Sequence, residues 1–213
     1  MISHQTSSEK KLEHYVIGLT GNICSGKSKA AEYFEQLGAY VIDTDKVVHG
    51  IYKKNWALKY KIYQRFGLKA FNYKLEVDRK KLSRIVFSEQ KENIKDLEKI
   101  VWAYVGKEVD KRTKKKKGIV IIEAPMLYES GISKKMFCNI TVTVSEDEQL
   151  RRLMKRNSMG REEAVKRISA QMPQFEKVKL SDYVIENNDS LDILKRNVQQ
   201  AWMFLYAKIA QHP

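Results

Sequence analysis

Cysteine is scarce: the 213 residues hold two, Cys24 and Cys138, with no Cys-x-x-Cys spacing and no Cys/His cluster near either. That excludes a disulfide framework and argues against a zinc site. Long apolar runs are missing as well. No stretch reaches the ~18 uninterrupted apolar residues of a membrane span, and the segment from Met1 to His14 is polar, without the apolar centre of a secretory leader. A cytoplasmic protein with no membrane partner is expected. Internal repeats and low-complexity linkers are also absent, apart from that polar tail. Acidic residues are the other deficit: 26 Asp and Glu stand against 40 Lys and Arg, for a net charge of +14 and a pI near 9.6.

Such a charge invites a nucleic-acid partner, and Lys111-Arg112-Thr113-Lys114-Lys115-Lys116-Lys117 sharpens the invitation. The excess, however, is mostly lysine and is spread over the chain. The run also stands at the end of a helical pattern just before Gly118, where cations complement the helix dipole and stay solvated. A solvated helix end is therefore preferred to a patch for acidic partners, and nucleic acid is not the expected partner. Length and a 43% apolar composition fit one domain with inserts.

What the chain does have is Gly21-Asn22-Ile23-Cys24-Ser25-Gly26-Lys27-Ser28, the pattern G-x-x-x-x-G-K-[ST], directly after the apolar run Tyr15–Leu19. This is a P-loop. Its glycines let the turn curl so that successive backbone N–H groups face anionic oxygens. Lys27 reaches the β- and γ-phosphates, and the Ser28 hydroxyl is suited to Mg²⁺. Residues 29–37, from Lys29 on, read as an amphipathic helix whose positive N-terminal end faces the phosphates, with Gly38 as its stop. The expected ligands are ATP and Mg²⁺, bound by Gly21, Asn22, Ile23, Cys24, Ser25, Gly26, Lys27, Ser28 and Lys29. Cys24, among amides at a helix N-terminus, is expected to favour its thiolate, without a nucleophilic role.

Five apolar runs read as buried parallel strands: 15–19, 39–42, 119–122, 139–144 and 183–185. Helical patterns separate them, which predicts a three-layer α/β fold: a P-loop nucleotide-binding core with a parallel sheet. Ligands then collect at the carboxyl ends of the strands. The gap at 46–117 is too long for one crossover helix and reads as a helical substrate-binding insert. Residues 146–178 hold an Arg-rich helical pair and read as a lid. The core is then 15–45 with 118–145 and 179–213, behind a tail at 1–14.

The second strand runs into Asp43-Thr44-Asp45. On an extended segment, side chains two apart face the same way, so both carboxylates could face the P-loop. Phosphoryl transfer wants one carboxylate at the acceptor hydroxyl, assigned to Asp45, and another near the metal, assigned to Asp43 through water. The competing role is helix N-capping, and the two are compatible. Glu123, at the end of the third run, is a weaker metal-side candidate. Of the lid arginines Arg151, Arg152, Arg156, Arg161 and Arg167, Arg156 is the one best placed for a phosphoryl group in flight, because it stands where the first lid helix gives way to a turn.

Taken in order, Gly18-Leu19-Thr20-Gly21, Ser25-Gly26-Lys27-Ser28, Val41-Ile42-Asp43-Thr44-Asp45 with His49, Val77-Asp78-Arg79, Pro125-Met126-Leu127-Tyr128-Glu129, Arg167-Ile168 with Gln171, and Asp182-Tyr183-Val184-Ile185-Glu186-Asn187 resemble the dephospho-CoA kinase family. The resemblance spans residue 15 to about residue 190. It implies transfer of the ATP γ-phosphoryl group to the 3′-hydroxyl of dephospho-CoA, with Mg²⁺, giving ADP and coenzyme A in the last step of coenzyme A biosynthesis. It puts Asp45 on the family's proposed base and the loop around Asn187 near adenine. Departures from the family pattern are Asn22 and Cys24 for glycines, Lys29 for Thr, Glu123 for Asp, and Trp102-Ala103 for His-Pro. The rival functions are another P-loop small-molecule or nucleotide kinase and a nucleotide-dependent nucleic-acid-binding protein.

Overall fold

The computed structural model describes residues 14–89 and 91–212. The polar tail expected at 1–14 lies outside the described residues except for His14. Five strands, β1 (His14–Thr20), β2 (Tyr40–Asp43), β3 (Gly118–Glu123), β4 (Cys138–Thr143) and β5 (Tyr183–Glu186), form one sheet in the order β2-β3-β1-β4-β5. Every ladder is parallel. The strand order changes direction around β1, so its carboxyl end opens onto the crevice where such sheets hold ligands.

Alternation along the strands sends side chains to two separate cores. Ile119 and Ile121 join Ile17, Leu19 and Ile140 on one face, under α1 (Lys27–Gln36), which contributes Phe34. On the same face α9 (Leu191–Ala210) contributes Leu194, Val198, Ala201 and Leu205. Val120 and Ile122, with Ile42, meet the opposite layer of α2 (Thr44–Lys54), α3 (Trp56–Phe66), α4 (Arg79–Glu89) and α5 (Lys91–Thr113). Burial on both faces is why these strands read as continuous apolar runs. The three-layer α/β architecture stands. The segment expected as a substrate-binding insert also covers a face of the sheet, because Val47, Ile51, Leu58, Ile62 and Val105 share one apolar cluster with Val120 and Ile122.

Beyond β4 come α6 (Glu146–Asn157), α7 (Arg161–Ser169) and α8 (Gln174–Lys179). The first two were expected as the lid pair. Their apolar stripe of Leu150, Leu153 and Ala164 packs on Ile23 and Cys24 at the tip of the P-loop. Helix α5 closes at Thr113, with Lys111 and Arg112 in its last turn. Lys114 to Lys117 therefore follow the helix rather than end it, and Lys116 lies over the Tyr40 ring, 3.8 Å from its centroid. Among the described residues no helix is long and apolar enough to cross a membrane.

Candidate active site

The P-loop leaves β1 at Thr20 and enters α1 at Lys27, and two of its glycines are required by close approach. A Cβ on Gly26, whose φ is +90°, would stand 2.0 Å from Asn187 Nδ2; one on Gly21 would meet Ser25 Oγ at 2.4 Å and the Val142 carbonyl at 2.6 Å. Asn187 explains the first clash, since its buried amide donates to the Ser25 carbonyl across the loop at 2.7 Å. Two glutamines hold the tip. Gln171 Oε1 accepts from the Ile23 N–H and Gln149 Nε2 donates to the Ile23 carbonyl, both at 2.8 Å, while Asn22 Nδ2 donates to the Met172 carbonyl. Thus protein groups hold the shape of the loop, and residues 149, 171 and 172 of the segment expected as a lid supply part of that hold.

At the floor of the cleft, Lys27 Nζ and Ser28 Oγ both donate to Glu123 Oε1 at 2.6 Å. The cleft has a volume of about 1030 Å³ and is lined by P-loop residues 21–24 and 26–29, by Asp45 and Pro125, by Arg151, Arg152 and Arg156 of α6, and by Asn187 and the segment after it. The three α6 arginines are occupied. Arg151 forks onto both oxygens of Glu148 and Arg152 donates to one of them, together holding its carboxyl down to about 2; Arg152 also donates to the Asn187 carbonyl, and Arg156 donates to Asn157 Oδ1. Guanidinium groups at one wall and a P-loop at the floor make a site for a polyphosphate.

A model of the dephospho-CoA kinase family matches residues 15–192. The chain belongs to the dephospho-CoA kinase family. It is 38% identical over 188 residues to a dephospho-CoA kinase of Aquifex aeolicus, covering 87% of this chain and 95% of that one. It is 40% identical over 190 residues to one of Fusobacterium nucleatum, with the same coverage. A crystal structure from Thermus thermophilus superimposes with a TM-score of 0.76 at 33% identity, covering 91% of this chain and 99% of its own. The dephospho-CoA kinase from Campylobacter jejuni gives 0.67 at 28%, covering 91% and 98%. Shikimate kinase from Acinetobacter baumannii, at 12% identity and a TM-score of 0.53, shares the fold.

In this member of the dephospho-CoA kinase family, the two aspartates are arranged differently from the extended geometry expected of them. Strand β2 ends at Asp43, whose Oδ1 accepts from the Asp45 and Lys46 N–H groups as the N-cap of α2. Asp45 consequently sits in the first helical turn, and the two carboxylates are not alternate residues of a strand. Asp45 still lines the nucleotide cleft. Partial burial pushes its carboxyl above the usual range; Lys27 and Arg79 oppose that shift, while Asp43 and Glu123 reinforce it.

Cys24 corrects one expectation. Burial against the lid pushes its thiol up, and the nearby Arg156 and Arg152 charges only partly counter this, so the thiolate is not favoured. Its φ is +62°. The non-glycine residue here therefore sits in left-handed backbone, which costs about 1–2 kcal/mol. Lys29 pairs with Glu32 at 2.5 Å at the mouth of the cleft. Trp102 is outside the cleft lining and packs against the core of the α2–α5 layer.

Three groups that hold the site were not anticipated in their roles. Gln149 is buried beside Leu150, one turn before Leu153, so the apolar periodicity of α6 marks it as inward-facing. Gln171 was an anchor of the family pattern with no assigned work. Lys177 of α8 is fully buried, donates to the Pro125 carbonyl at 2.6 Å and pairs with Glu129 at 3.0 Å, fixing the exit of β3 just beyond Glu123.

Proposed function

We propose that the chain transfers the γ-phosphoryl group of ATP to the 3′-hydroxyl of dephospho-CoA, giving ADP and coenzyme A in the cytoplasm. Family membership supplies the reaction class. The observation that carries the assignment of residues is that Lys27, Ser28, Asp45 and the α6 arginines line a single cleft. Among the described residues no cluster of three or more His, Cys, Asp or Glu could enclose a metal, and Mg²⁺ borne on a polyphosphate needs few protein ligands. The Ser28 hydroxyl and Glu123 carboxylate, meeting at 2.6 Å, fit that limited role, with Asp43 reaching it through water. When bound, Mg²⁺ would supply charge neutralisation at the β- and γ-oxygens.

The chain's own groups do the rest. Asp45 orients the acceptor hydroxyl and accepts its proton as the oxygen–phosphorus bond forms, a task suited to a carboxyl raised above its usual range. The bond from γ-phosphorus to the β–γ bridging oxygen breaks, and its electron pair leaves with ADP. Lys27 moves from Glu123 to the phosphate oxygens, and Arg156 meets charge on the transferring group. Asn187, by holding Ser25, keeps the N–H groups of the loop aimed inward, with the adenine placed along the loop that follows it.

The test is ADP formation with dephospho-CoA, adenosine, AMP or shikimate as acceptor. Dephospho-CoA is expected to be preferred by at least about 100-fold in kcat/KM, and Lys27→Ala and Asp45→Asn to lose most turnover. Equal use of the four acceptors would overturn the substrate assignment. Full turnover by Asp45→Asn would overturn only the base.

A further inference from the structure

Between Lys46 and Leu75 the sequence has eight Lys and Arg and no Asp or Glu, although acids are scattered through the rest of the chain. The same thirty residues hold seven aromatics. The fold buries only some of them. On α3, Leu58, Ile62 and Phe66 face the core, while Trp56, Tyr60 and Tyr63, spaced i, i+4 and i+7, form an exposed stripe with the indole 76% accessible. The stripe continues into the following loop, where Tyr63 meets the Phe71 ring edge-on at 6.4 Å and Tyr73 stands 89% exposed. That loop is built. Asn72 Oδ1 accepts from the N–H groups of Lys74 and Glu76, its own N–H donates to the Glu76 carbonyl, and Leu75 takes φ +56° at the tip. Lys59 and Lys74 lie over the Trp56 and Tyr73 rings, at 5.0 and 5.6 Å from their centroids.

None of these side chains lines the nucleotide cleft. Exposed aromatic faces in a row, with lysines beside them and Glu76 the single acid of residues 46–76, are what a flexible polyanion with flat bases requires: stacking platforms and a positive track for the backbone. Duplex nucleic acid hides its base faces. A protein partner would leave a stripe this rich in lysine unneutralised unless it were strongly acidic. The three tyrosine hydroxyls add donors and acceptors of the kind that read a ribose 2′-hydroxyl. We infer that the outer face of α3 and the 72–76 loop form a docking surface for single-stranded RNA, separate from the kinase cleft.

Fluorescence anisotropy of a labelled 12-nucleotide single-stranded RNA, titrated with the full chain at several salt concentrations, tests this. Saturable binding is expected, with log K falling against log salt at a slope of about −3 if Lys53, Lys54, Lys61 and Lys74 each neutralise a phosphate. Trp56→Ala and Tyr60→Ala should each weaken it about fivefold or more, with unchanged far-UV circular dichroism. Quenching of indole fluorescence on binding should vanish in Trp56→Phe if Trp56 is the stacked residue. Equal affinity for a duplex of the same sequence, unchanged affinity in both alanine variants, or loss of binding on neutralising Lys114 to Lys117 instead would overturn the assignment. Equal affinity for the matching DNA strand would overturn the choice of RNA, and a shift of oligomeric state in Trp56→Ala would mark the stripe as a contact between copies.

Discussion

Replacing Glu123 by Gln should move two measurements in opposite directions. The carboxylate oxygen that takes both Lys27 and Ser28 at 2.6 Å lies where Lys27 is 12% and Glu123 7% exposed, so solvent screens the pair poorly. A nucleotide must draw Lys27 off that oxygen before the ammonium can serve phosphate. A hydrogen bond to a charged acceptor contributes about 1.5–3 kcal/mol and one to a neutral acceptor about 0.5–1.5. The amide therefore relaxes the hold on Lys27 by about 1–1.5 kcal/mol. Removing a negative charge that faces the phosphates acts in the same direction. Titration calorimetry with ADP in the presence of EDTA should then show binding tightened about five- to tenfold. Turnover with ATP and Mg²⁺ should fall, about 10- to 100-fold, because the group proposed to meet the metal alongside Ser28 has lost its charge. Metal-free ADP binding that is unchanged or weaker in Glu123→Gln would refute the idea that this carboxylate stands in for phosphate at Lys27.

Asp43→Asn keeps an N-cap for α2 but removes one of the charges that raise Asp45. A base must be ionised to act, so the acid limb of kcat/KM should move to lower pH; a limb that stays put or rises counts against Asp45 as the proton acceptor. Lys177→Met strips the buried partner of the Pro125 carbonyl and of Glu129, itself only 21% exposed. The expected loss is about 3 kcal/mol, read by differential scanning fluorimetry as a fall of roughly 6–12 °C. Adding Glu129→Gln should recover part of it, and strict additivity would show that the two are not coupled. At pH 7, Cys24 should alkylate more slowly than a free thiol by mass spectrometry, ADP should slow it further, and Cys24→Ala should keep its turnover.

The sheet was legible because its strands lie between helical layers, which writes them as apolar runs; the ends differ by a residue, at Gly118 and Glu186 where polar residues join a ladder, and at Ala39 and Val144 where the apolar run outlasts the strand. Helix α8 was not separable from the lid, since it has six residues and inverts the usual pattern, with Lys177 buried and Phe175 exposed. The P-loop was plain because its chemistry is local. What it touches was not, since Gln149, Gln171 and Asn187 arrive from more than 120 residues away. Asp43 was open to two roles, and the cap bond that it accepts from Asp45 shifts the start of α2 to Thr44. Glu123 was ranked below the aspartate pair because nothing in the sequence shows that its side chain spans the distance to both Lys27 and Ser28.

The tip of the phosphate loop is hydrogen-bonded to the lid through both the C=O and the N–H of one residue, Ile23, which meet Gln149 on α6 and Gln171 beyond α7. A lid tethered in this way cannot swing as a free flap. Any opening that carries α6 and the segment after α7 apart must either let go of Ile23 or drag it along, and dragging it disturbs the N–H groups that grip phosphate. In the proposed reaction, release of ADP is then coupled to movement of the 146–171 segment through these two glutamine side chains, of which Gln171 also lines the cleft.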